Sequence, residues 1–529
     1  MASNADFVIT NAKVFTSDSE NPQAEAIAIK GNRIVYAGTN AGAKEYQGTA
    51  TQVIDAQGKT VTPGFIDSHF HLLWGAISLG GAQLYEVKGL EDLEKVLKTF
   101  EAENKTNDWV EGRGVRYDVV STRHELDKII SDKPVYLNAY DGHTSWANTK
   151  ALEIAGILQP GVEAPGNGVI VRDENGLATG ELRETAMNMV SDLIPEPSDS
   201  RKRELLKMAI QKINATGVTS VHNMNGEMEE MLVYAALEDA GELTLRVYVP
   251  YWVKPDTTEA MLQEAAEMAK IQGDFARGGA AKFFMDGVWE SYTALNIDPY
   301  ADNPGAKPDG IFSLDHFTRM ASLADKMGLQ IFVHCCGDGA VRRTLDGYEA
   351  VQKLNGKRDS RHRIEHIEVI HPNDIPRFQE LGVLPSMQTS HAPFSMSEGD
   401  VWPSRVGQER WPLSFAWRNI KNAGNAIALG SDWPVAPYDP MVNIHVGLNR
   451  ELWNPNDPNQ CLTLEELIIG YTRDAAYAEF KENEKGQIKV GYLADLVLFS
   501  HDLFSLKSED IMSAKPVMTM VDGKIAFQG

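Results

Sequence analysis

The clearest chemical feature of this sequence is a pair of histidines separated by one residue, His69-Phe70-His71. The pair directly follows an apolar run at residues 61–66, which we predict to be a buried β-strand. Residues i and i+2 of a strand point the same way, so both imidazoles can reach one metal ion. Alone, the pattern also fits the polar face of a strand. Further candidate ligands are needed to distinguish a metal site from such a face.

Three other predicted strands end on residues that commonly bind metals. His334 ends the fifth strand, His366 the sixth and Asp432 the eighth, while Lys282 lies within the fourth. In a barrel of parallel strands, the carboxyl ends of all the strands meet at one mouth. The sequence therefore predicts a metal site at this mouth, held by His69, His71, Lys282, His334, His366 and Asp432.

Lys282 has two interpretations within such a site. A free ammonium cannot bind a cation, but a lysine deprotonated by burial and nearby positive charge can react with carbon dioxide. The carbamate that forms has oxygen atoms that can bridge two ions. Alternatively, Lys282 is a buried cation paired with a neighbouring acid such as Asp286. Spacing alone leaves both interpretations open.

The elements that must position these residues alternate between short apolar runs and amphipathic segments. Such alternation is typical of βα units and a parallel sheet. The predicted strands are residues 61–66, 218–221, 245–249, 281–285, 330–333, 363–367, 383–387 and 426–429. The predicted helices are residues 228–240, 259–270, 314–326, 340–354, 373–380 and 464–480. We predict an α/β fold, a (β/α)8 TIM barrel at residues 61–484.

The two ends of the chain are rich in short β-strands instead. Residues 1–60 and 485–529 each hold too few strands for a stable sheet, and we predict that they form one small β-sandwich together. Asp522-Gly523 predicts a tight hairpin turn within it. The stretch between the first two barrel strands is longer than one crossover needs. We therefore predict an insertion over the barrel mouth at about residues 76–180, and a second long loop at about residues 389–415.

Composition excludes several classes of protein. The net charge of −24 disfavours nucleic acid and anionic membranes as partners. No apolar run reaches the roughly 18 residues of a membrane span, and the amino terminus lacks the pattern of a signal peptide. Only three cysteines are present, which fits a reducing compartment. We expect a cytoplasmic enzyme that acts on a small molecule.

Two of these motifs carry a family resemblance. Pro63-Gly64-Phe65-Ile66-Asp67-Ser68-His69-Phe70-His71 resembles the opening motif of the amidohydrolase superfamily. Gly430-Ser431-Asp432-Trp433-Pro434 resembles the strand-eight motif of its amidohydrolase family 3 branch, which includes N-substituted formamide deformylase. Further matches are Asp141-Gly142-His143, Lys282 before Asp286-Gly287, His334-Cys335-Cys336-Gly337-Asp338 and the tail from Gly486 to Asp495. The similarity runs nearly from end to end.

The resemblance implies roles for the matching residues. His69 and His71 would hold the more buried ion, His334 and His366 a second, and a carboxylated Lys282 would bridge them. Asp432 would bind metal and act as the base. Members of the family use one or two ions, and both numbers stay open here. Zinc is the expected ion, although the ligands also suit manganese, iron or cobalt. The resemblance also makes a homodimer the expected assembly.

The expected function is hydrolysis of an amide-type C–N bond, for example in an N-substituted formamide or an N-acyl compound. A bound divalent ion lowers the pKa of water from 15.7 to about 7. Asp432 can take the proton of that water and deliver it to the leaving nitrogen. An esterase, lactonase or cyclic amidase on the same site stays open, as does a catalytically inactive metal-binding relative. The sequence contains neither His-Glu-x-x-His nor Gly-x-Ser-x-Gly, which argues against a zinc peptidase and a serine hydrolase.

Several residues are candidates for contact with the substrate. His143 can donate to the substrate carbonyl or stabilise the oxyanion, and its other interpretation is a structural hydrogen bond in a loop. Arg405 can bind a carboxylate or fix the long loop. The further candidates are Trp74, Trp289, Gln388 and His391. Aromatic residues beside strand ends also serve as packing, so the sequence leaves these assignments open.

Overall fold

The computed structural model describes residues 4–105, 108–140, 142, 144–166, 168–396 and 401–529. His143 therefore lies outside the described residues. The chain forms two compact units, one of Met1–Leu72 with Ile210–Gly529 and the other of Leu73–Ala209. No helix among the described residues is long and apolar enough to cross a membrane.

Eight parallel strands form a barrel in the first unit, which confirms the predicted fold class. Numbered in chain order, β1 to β8 pair in sequence around the sheet. Their bounds are Phe65–Phe70, Val218–Asn223, Arg246–Trp252, Ala276–Phe284, Gln330–Cys335, Arg363–His366, Leu384–Met387 and Ala428–Leu429. Beyond β8, the N–H of Asp432 donates to His69 O at 2.7 Å and the N–H of His71 donates to Trp433 O at 2.9 Å. These two bonds bring the end of β8 against β1.

Amphipathic helices pack around these strands, as the sequence predicts. The helix Leu314–Lys326 buries Phe317, Met320, Ala321 and Ala324 at helical spacing. The helices of the barrel are Met228–Asp239, Glu259–Met268, Leu314–Lys326, Asp338–Asn355, Ile375–Leu381, Trp402–Val406, Trp417–Asn422, Pro440–Asn449, Leu464–Gly470 and Arg473–Ala478.

The single helix predicted at residues 464–480 is wrong. The structure has two helices there, Leu464–Gly470 and Arg473–Ala478, and Thr472, the second of the two residues between them, leaves helical geometry at φ −129° and ψ −92°. The break frees the carbonyl of Tyr471, which accepts from the N–H of Ile66 at 2.6 Å. Pairing with the first barrel strand thus overrides the local helical pattern.

The first predicted strand is also wrong, because it joins strands of two different sheets. Thr60–Pro63 pairs antiparallel with Leu496–Phe499, while the barrel strand begins at Phe65. Gly64 separates them, and a β-carbon there would lie 2.3 Å from Thr219 Oγ1. Pro63-Gly64, a dipeptide typical of turns and breaks, is the sequence signal of this change of sheet, and the predicted strand ran through it.

Both ends of the chain contribute to a β-sandwich. One sheet contains, in order, Arg33–Gly38, Ala26–Lys30, Phe7–Thr10 and Gln52–Asp55. The other contains Lys524–Gln528, Pro516–Val521, Leu496–Phe499, Thr60–Pro63, Lys13–Phe15 and Gln23–Ala24. One apolar core joins the two ends of the chain, with Ile9 and Ile27 from the first and Leu496 and Met520 from the second. Asp522 and Gly523 both have positive φ, as a tight hairpin turn requires.

A buried ion pair attaches the sandwich to the barrel. The guanidinium of Arg246, at the start of β3, contacts Asp495 Oδ2 at 2.8 Å and Asp522 Oδ1 at 3.0 Å. Arg246 and Asp495 are both about 5% exposed. Because the partners are desolvated, removing one leaves an uncompensated buried charge.

Replacing Arg246 by alanine is therefore expected to lower the free energy of unfolding by about 3–5 kcal/mol. Lys13→Ala is the matched control, since its pair with Asp502 leaves Lys13 61% exposed. That control should cost no more than about 1 kcal/mol. Urea titration of both variants measures the difference, and equal losses would contradict the assigned role of Arg246.

The second unit, Leu73–Ala209, has a sheet of its own. Its strands are, in order, Val169–Arg172, Ala178–Arg183, Thr144–Ala147, Val135–Ala139, Val110–Val115 and Ala82–Gln83. Its helices include Leu90–Glu103, Arg123–Ile129 and Thr149–Ile154. Trp146 lies in the strand Thr144–Ala147, just before the helix Thr149–Ile154. Asn148 caps the helix by accepting from the N–H of Ala151, so the helix begins at Thr149.

Candidate metal centre

Imidazoles and a carboxylate converge where β1 and β8 end. His69 lies in β1, and His71 follows its last residue. Asp432 Oδ1 is 3.4 Å from His69 Nε2 and 3.0 Å from His71 Nε2. His366, the last residue of β6, has its ring centroid 4.6 Å from that of His69. Ligand atoms of His69, His366 and Asp432 all lie within 4.8 Å of one another. The structure thus brings together four of the six predicted ligands.

The backbone is left-handed at two of these residues. Asp432 has a φ of 63° and His366 a φ of 70°, a region that residues other than glycine rarely adopt. Such conformations persist where the surrounding structure enforces them, often at functional sites. At Asp432 the enforcing contact is Asp67, whose Oδ1 accepts from the N–H groups of His69 and Ser431. Asp67 therefore fixes the ends of β1 and β8 relative to each other, a role that its place in the motif did not reveal.

A buried carboxylate orients His69. Glu365 Oε2 lies 2.8 Å from His69 Nδ1, and Arg363 holds Glu365 with Nε 2.9 Å from Oε1. All three residues are at most 1% exposed. With Nδ1 donating to the carboxylate, Nε2 of His69 carries the lone pair that can bind a metal. Sequence reasoning missed Glu365, because an acid on a buried strand does not show which imidazole it contacts.

Glu365→Gln is expected to weaken metal binding by about 10–100-fold, because the amide cannot supply the charge that strengthens His69 as a ligand. Competition with a chromophoric chelator measures the affinity. Asp325→Asn is the matched control, since Asp325 faces a different buried imidazole, His362, at 3.3 Å. That variant should lose stability and keep its metal affinity. Unchanged affinity in Glu365→Gln would exclude the orienting role.

His334 lies next to the cluster and contacts a separate carboxylate, that of Asp286. Its Nδ1 is 3.3 Å from Asp286 Oδ1, and its ring centroid is 4.4 Å from that of His366. Asp286 also accepts from the N–H groups of Leu295, Cys336 and Gly337. Asp286 is therefore occupied in fixing His334 and the turn after β5.

Lys282 is wholly buried within β4. Its Nζ lies 3.9 Å from Met224 Sδ and 4.8 Å from the centre of the Phe284 ring. Among the described residues, no carboxylate oxygen lies within 4.0 Å of this Nζ, so the structure does not support the pairing with Asp286. Burial lowers the pKa of Lys282 to about 8. The neutral amine is therefore accessible near neutral pH, as carbamate formation requires.

Burial also determines the charge state of the imidazoles. It lowers the pKa of His69 and that of His366 well below the ordinary histidine value, and that of His391 to a smaller extent. Burial raises the pKa of Asp432 less than the facing His69 and His71 lower it, so this pKa lies below its usual range. Neutral imidazoles around an ionised carboxylate are the protonation states that bind a divalent cation.

The unpaired atoms of the cluster fit a bound cation. His366 is 4% exposed, and neither of its ring nitrogens has a hydrogen-bond partner in the described part of the chain. Almost all buried polar groups in native proteins have such a partner. Histidine nitrogen and aspartate oxygen are ligands that zinc and related ions prefer. The donor set and its unsatisfied nitrogens therefore match a metal.

The structure brings His391 into the cluster as well. It lies in a short helical turn after β7, with Nε2 3.7 Å from Asp432 Oδ2 and its ring stacked on that of His366. Gln388 precedes it and is 1% exposed. Both were predicted to contact the substrate, and both remain candidates for that role.

The other residues that were predicted to contact the substrate pack against groups of the protein. Trp289 is fully buried and donates from Nε1 to Cys336 O at 3.2 Å. Arg405 donates to Trp289 O at 3.5 Å and stacks on Tyr292, which favours the loop-fixing role. Trp74 lies in the second unit under the guanidinium of Arg113, at 4.3 Å from it.

A barrel with histidine and aspartate at its mouth defines the class of metal-dependent hydrolases, and comparison with known proteins gives the family. Residues 52–527 match the amidohydrolase family. The chain belongs to that family, and it is a hydrolytic enzyme that depends on a divalent metal.

Three relatives match over nearly the whole chain. Protein LONG AFTER FAR-RED 3 of Arabidopsis thaliana is 31% identical and aligns with 98% of this chain and 91% of its own length. Putative amidohydrolase YtcJ of Bacillus subtilis is 28% identical and aligns with 97% of this chain and 98% of its own length. N-substituted formamide deformylase of Arthrobacter pascens is 27% identical and aligns with 100% of this chain and 99% of its own length.

Solved structures support the same assignment. An uncharacterized metal-dependent hydrolase from Pyrococcus furiosus is 27% identical with a TM-score of 0.75, over 93% of this chain and 98% of that one. An uncharacterized metal-dependent hydrolase from Pyrococcus horikoshii is 24% identical with a TM-score of 0.78, over 95% of this chain and 99% of that one. This second likeness shows that the fold is shared.

Proposed function

We propose that this enzyme hydrolyses an amide-type C–N bond, in an N-substituted formamide or another N-acyl compound, with zinc as its ion. The observation that carries the proposal is the convergence of His69, His71, His366 and Asp432, with Nε2 of His69 facing the carboxylate. Support for an amide substrate comes from the deformylase of Arthrobacter pascens, which aligns with the whole of this chain.

His69, His71 and Asp432 would hold the first ion, and His334 and His366 a second. Lys282, as a carbamate, would bridge the two. When bound, the ions supply a nucleophile from water at neutral pH and polarise the substrate carbonyl. Burial of Lys282, without a carboxylate partner among the described residues, supports the carbamate.

Asp432 is the proton carrier in this proposal. Its ionised carboxylate faces the imidazoles, so it can accept the proton that attacking water gives up. An amide nitrogen leaves only when it is protonated, and the same carboxyl group can deliver that proton as the C–N bond breaks. The carboxylate lies against the imidazoles, with Oδ1 3.0 Å from His71 Nε2 and 3.4 Å from His69 Nε2.

A panel of substrates tests the proposal. The enzyme, purified with its metal, is offered N-formyl and N-acyl amines, the matched esters, and small lactones and cyclic amides. We expect kcat/KM to be highest for an open-chain amide. Turnover confined to esters or lactones would contradict the amide assignment while leaving the metal site intact.

We also propose a small-molecule substrate and a cytoplasmic location. All three cysteines are free thiols, as a reducing compartment favours. Fractionation of the source cells, followed by detection of the chain in each fraction, tests the location.

A further inference from the structure

Gln388 is a buried amide whose hydrogen-bonding atoms are unused. The residue is 1% exposed, and neither Oε1 nor Nε2 has a partner in the described part of the chain. An amide carries two donors and an acceptor, and leaving them unpaired in the interior is unfavourable. Such a group is retained in a native protein for a reason other than stability.

Gln388 faces the interior of the barrel at its mouth. Ser386, in β7, points inward, because its Oγ accepts from the buried guanidinium of Arg363 at 2.9 Å. The backbone stays extended through Gln388, with φ −117° and ψ 107°. Side chains two residues apart on an extended segment share a side. Gln388 therefore points inward too, one layer nearer the carboxyl ends of the strands.

The neighbouring strands carry the reactive groups. β7 pairs with β6, which ends on His366, and with β8, which leads to Asp432. Three residues after Gln388, His391 stacks on His366 with ring centroids 5.7 Å apart. Gln388, directly after β7, thus lies at the barrel mouth between the strands that lead to His366 and Asp432.

A second buried glutamine shows what a structural amide looks like in this barrel. Gln330 begins β5 and is 1% exposed. Its Nε2 donates to Arg361 O at 2.5 Å and to Ala478 O at 2.8 Å, and its Oε1 accepts from Tyr248 Oη at 3.2 Å. Gln330 has its full set of partners from the protein, whereas Gln388 has none.

We propose that Gln388 is a specificity-determining residue that binds the amide group of the substrate. Its Oε1 accepts from the substrate N–H, a donor that the corresponding ester lacks. The assignment rests on the proposed function and narrows it to secondary amides. A site built to hydrogen-bond a substrate group discriminates strongly against analogues without it.

The test is the ratio of kcat/KM for an N-alkyl amide to kcat/KM for the ester with the same acyl and alkyl groups. In Gln388→Met the ratio is expected to fall by about 10–100-fold, through loss of amide turnover. Ester turnover and metal content should stay near the wild-type values. Gln388→Ala, which removes the amide without filling its space, should lower the ratio in the same way.

Gln330→Met is the matched control, and thermal unfolding gives a second readout. The melting temperature of Gln388→Met should equal or exceed that of the wild type, because no bond is lost. Gln330→Met should melt at a lower temperature and keep the amide-to-ester ratio.

The outcomes separate this assignment from the proposed function. An unchanged ratio in both Gln388 variants, beside normal amide turnover by the wild type, would overturn the role of Gln388 alone. A lowered melting temperature with equal losses on amide and ester would also overturn it, as a structural role would then explain the residue. Wild-type turnover of esters and of no amide would overturn the proposed function and this assignment together.

Discussion

Asp432→Asn is expected to lower kcat/KM for an amide substrate by about 10²–10⁴-fold, the usual contribution of a general acid–base group. Asparagine has nearly the same shape and tolerates the left-handed backbone that residue 432 adopts. The variant should therefore fold, yet its amide can neither take the proton from water nor give one to the leaving nitrogen. Steady-state kinetics, with metal content measured on the same sample, checks the prediction.

Asp374→Asn is the control for this experiment. Asp374 is also buried, but it pairs with Arg342 and Arg377 at 3.0 Å, at the start of a barrel helix. Its replacement should lower the melting temperature and leave kcat within a few-fold of the wild type. If Asp432→Asn retained a tenth or more of the activity with its metal bound, another residue would have to be the proton carrier.

The second large effect is expected at His366. His366→Asn should weaken metal binding by at least about 100-fold, the upper end of the loss seen when a residue that merely orients a ligand is removed. Hydrolysis should fall with metal occupancy. Because neither ring nitrogen of His366 has a hydrogen-bond partner among the described residues, the metal-free variant should be as stable as metal-free wild type.

His362→Asn provides the comparison, since His362 precedes the same strand. Its Nδ1 accepts from the N–H of Ile331 at 3.1 Å and its Nε2 faces Asp325 at 3.3 Å. Loss of these contacts should destabilise the protein by about 1–3 kcal/mol without changing metal affinity. The opposite pattern, with His366→Asn unstable and still metallated, would remove His366 from the ligand set.

The fold was largely predictable from the sequence, because short apolar runs alternate with amphipathic helices along most of the barrel. The start of the first strand was predicted wrongly, since Thr60–Pro63 and Phe65–Phe70 were joined across Pro63-Gly64, and the sequence does not show that the two strands belong to different sheets. The division at Thr472 likewise depends on a bond between Tyr471 and Ile66, which are far apart in the sequence.

The candidate site was also only partly predictable from the sequence. His69, His71, His366 and Asp432 could be predicted because strand ends meet at the mouth of any such barrel. The roles of Glu365 and Asp67 could not, since an acid on a buried strand has no local signature of the imidazole or backbone that it contacts. The sequence also did not show that Gln330 has hydrogen-bond partners and Gln388 has none among the described residues. The partners of a buried amide come from residues far away in the sequence, such as Ala478 for Gln330.

The cluster of His69, His71, His366 and Asp432 is proposed to bind the metal on which hydrolysis depends, whether as one ion or two. The most direct test is elemental analysis of protein purified without chelator, with amide turnover followed before chelation, after it and after zinc is restored. We expect at least one ion per chain, loss of turnover as the ion is removed and recovery when zinc is added back. Full turnover by a chain that contains no metal would contradict it.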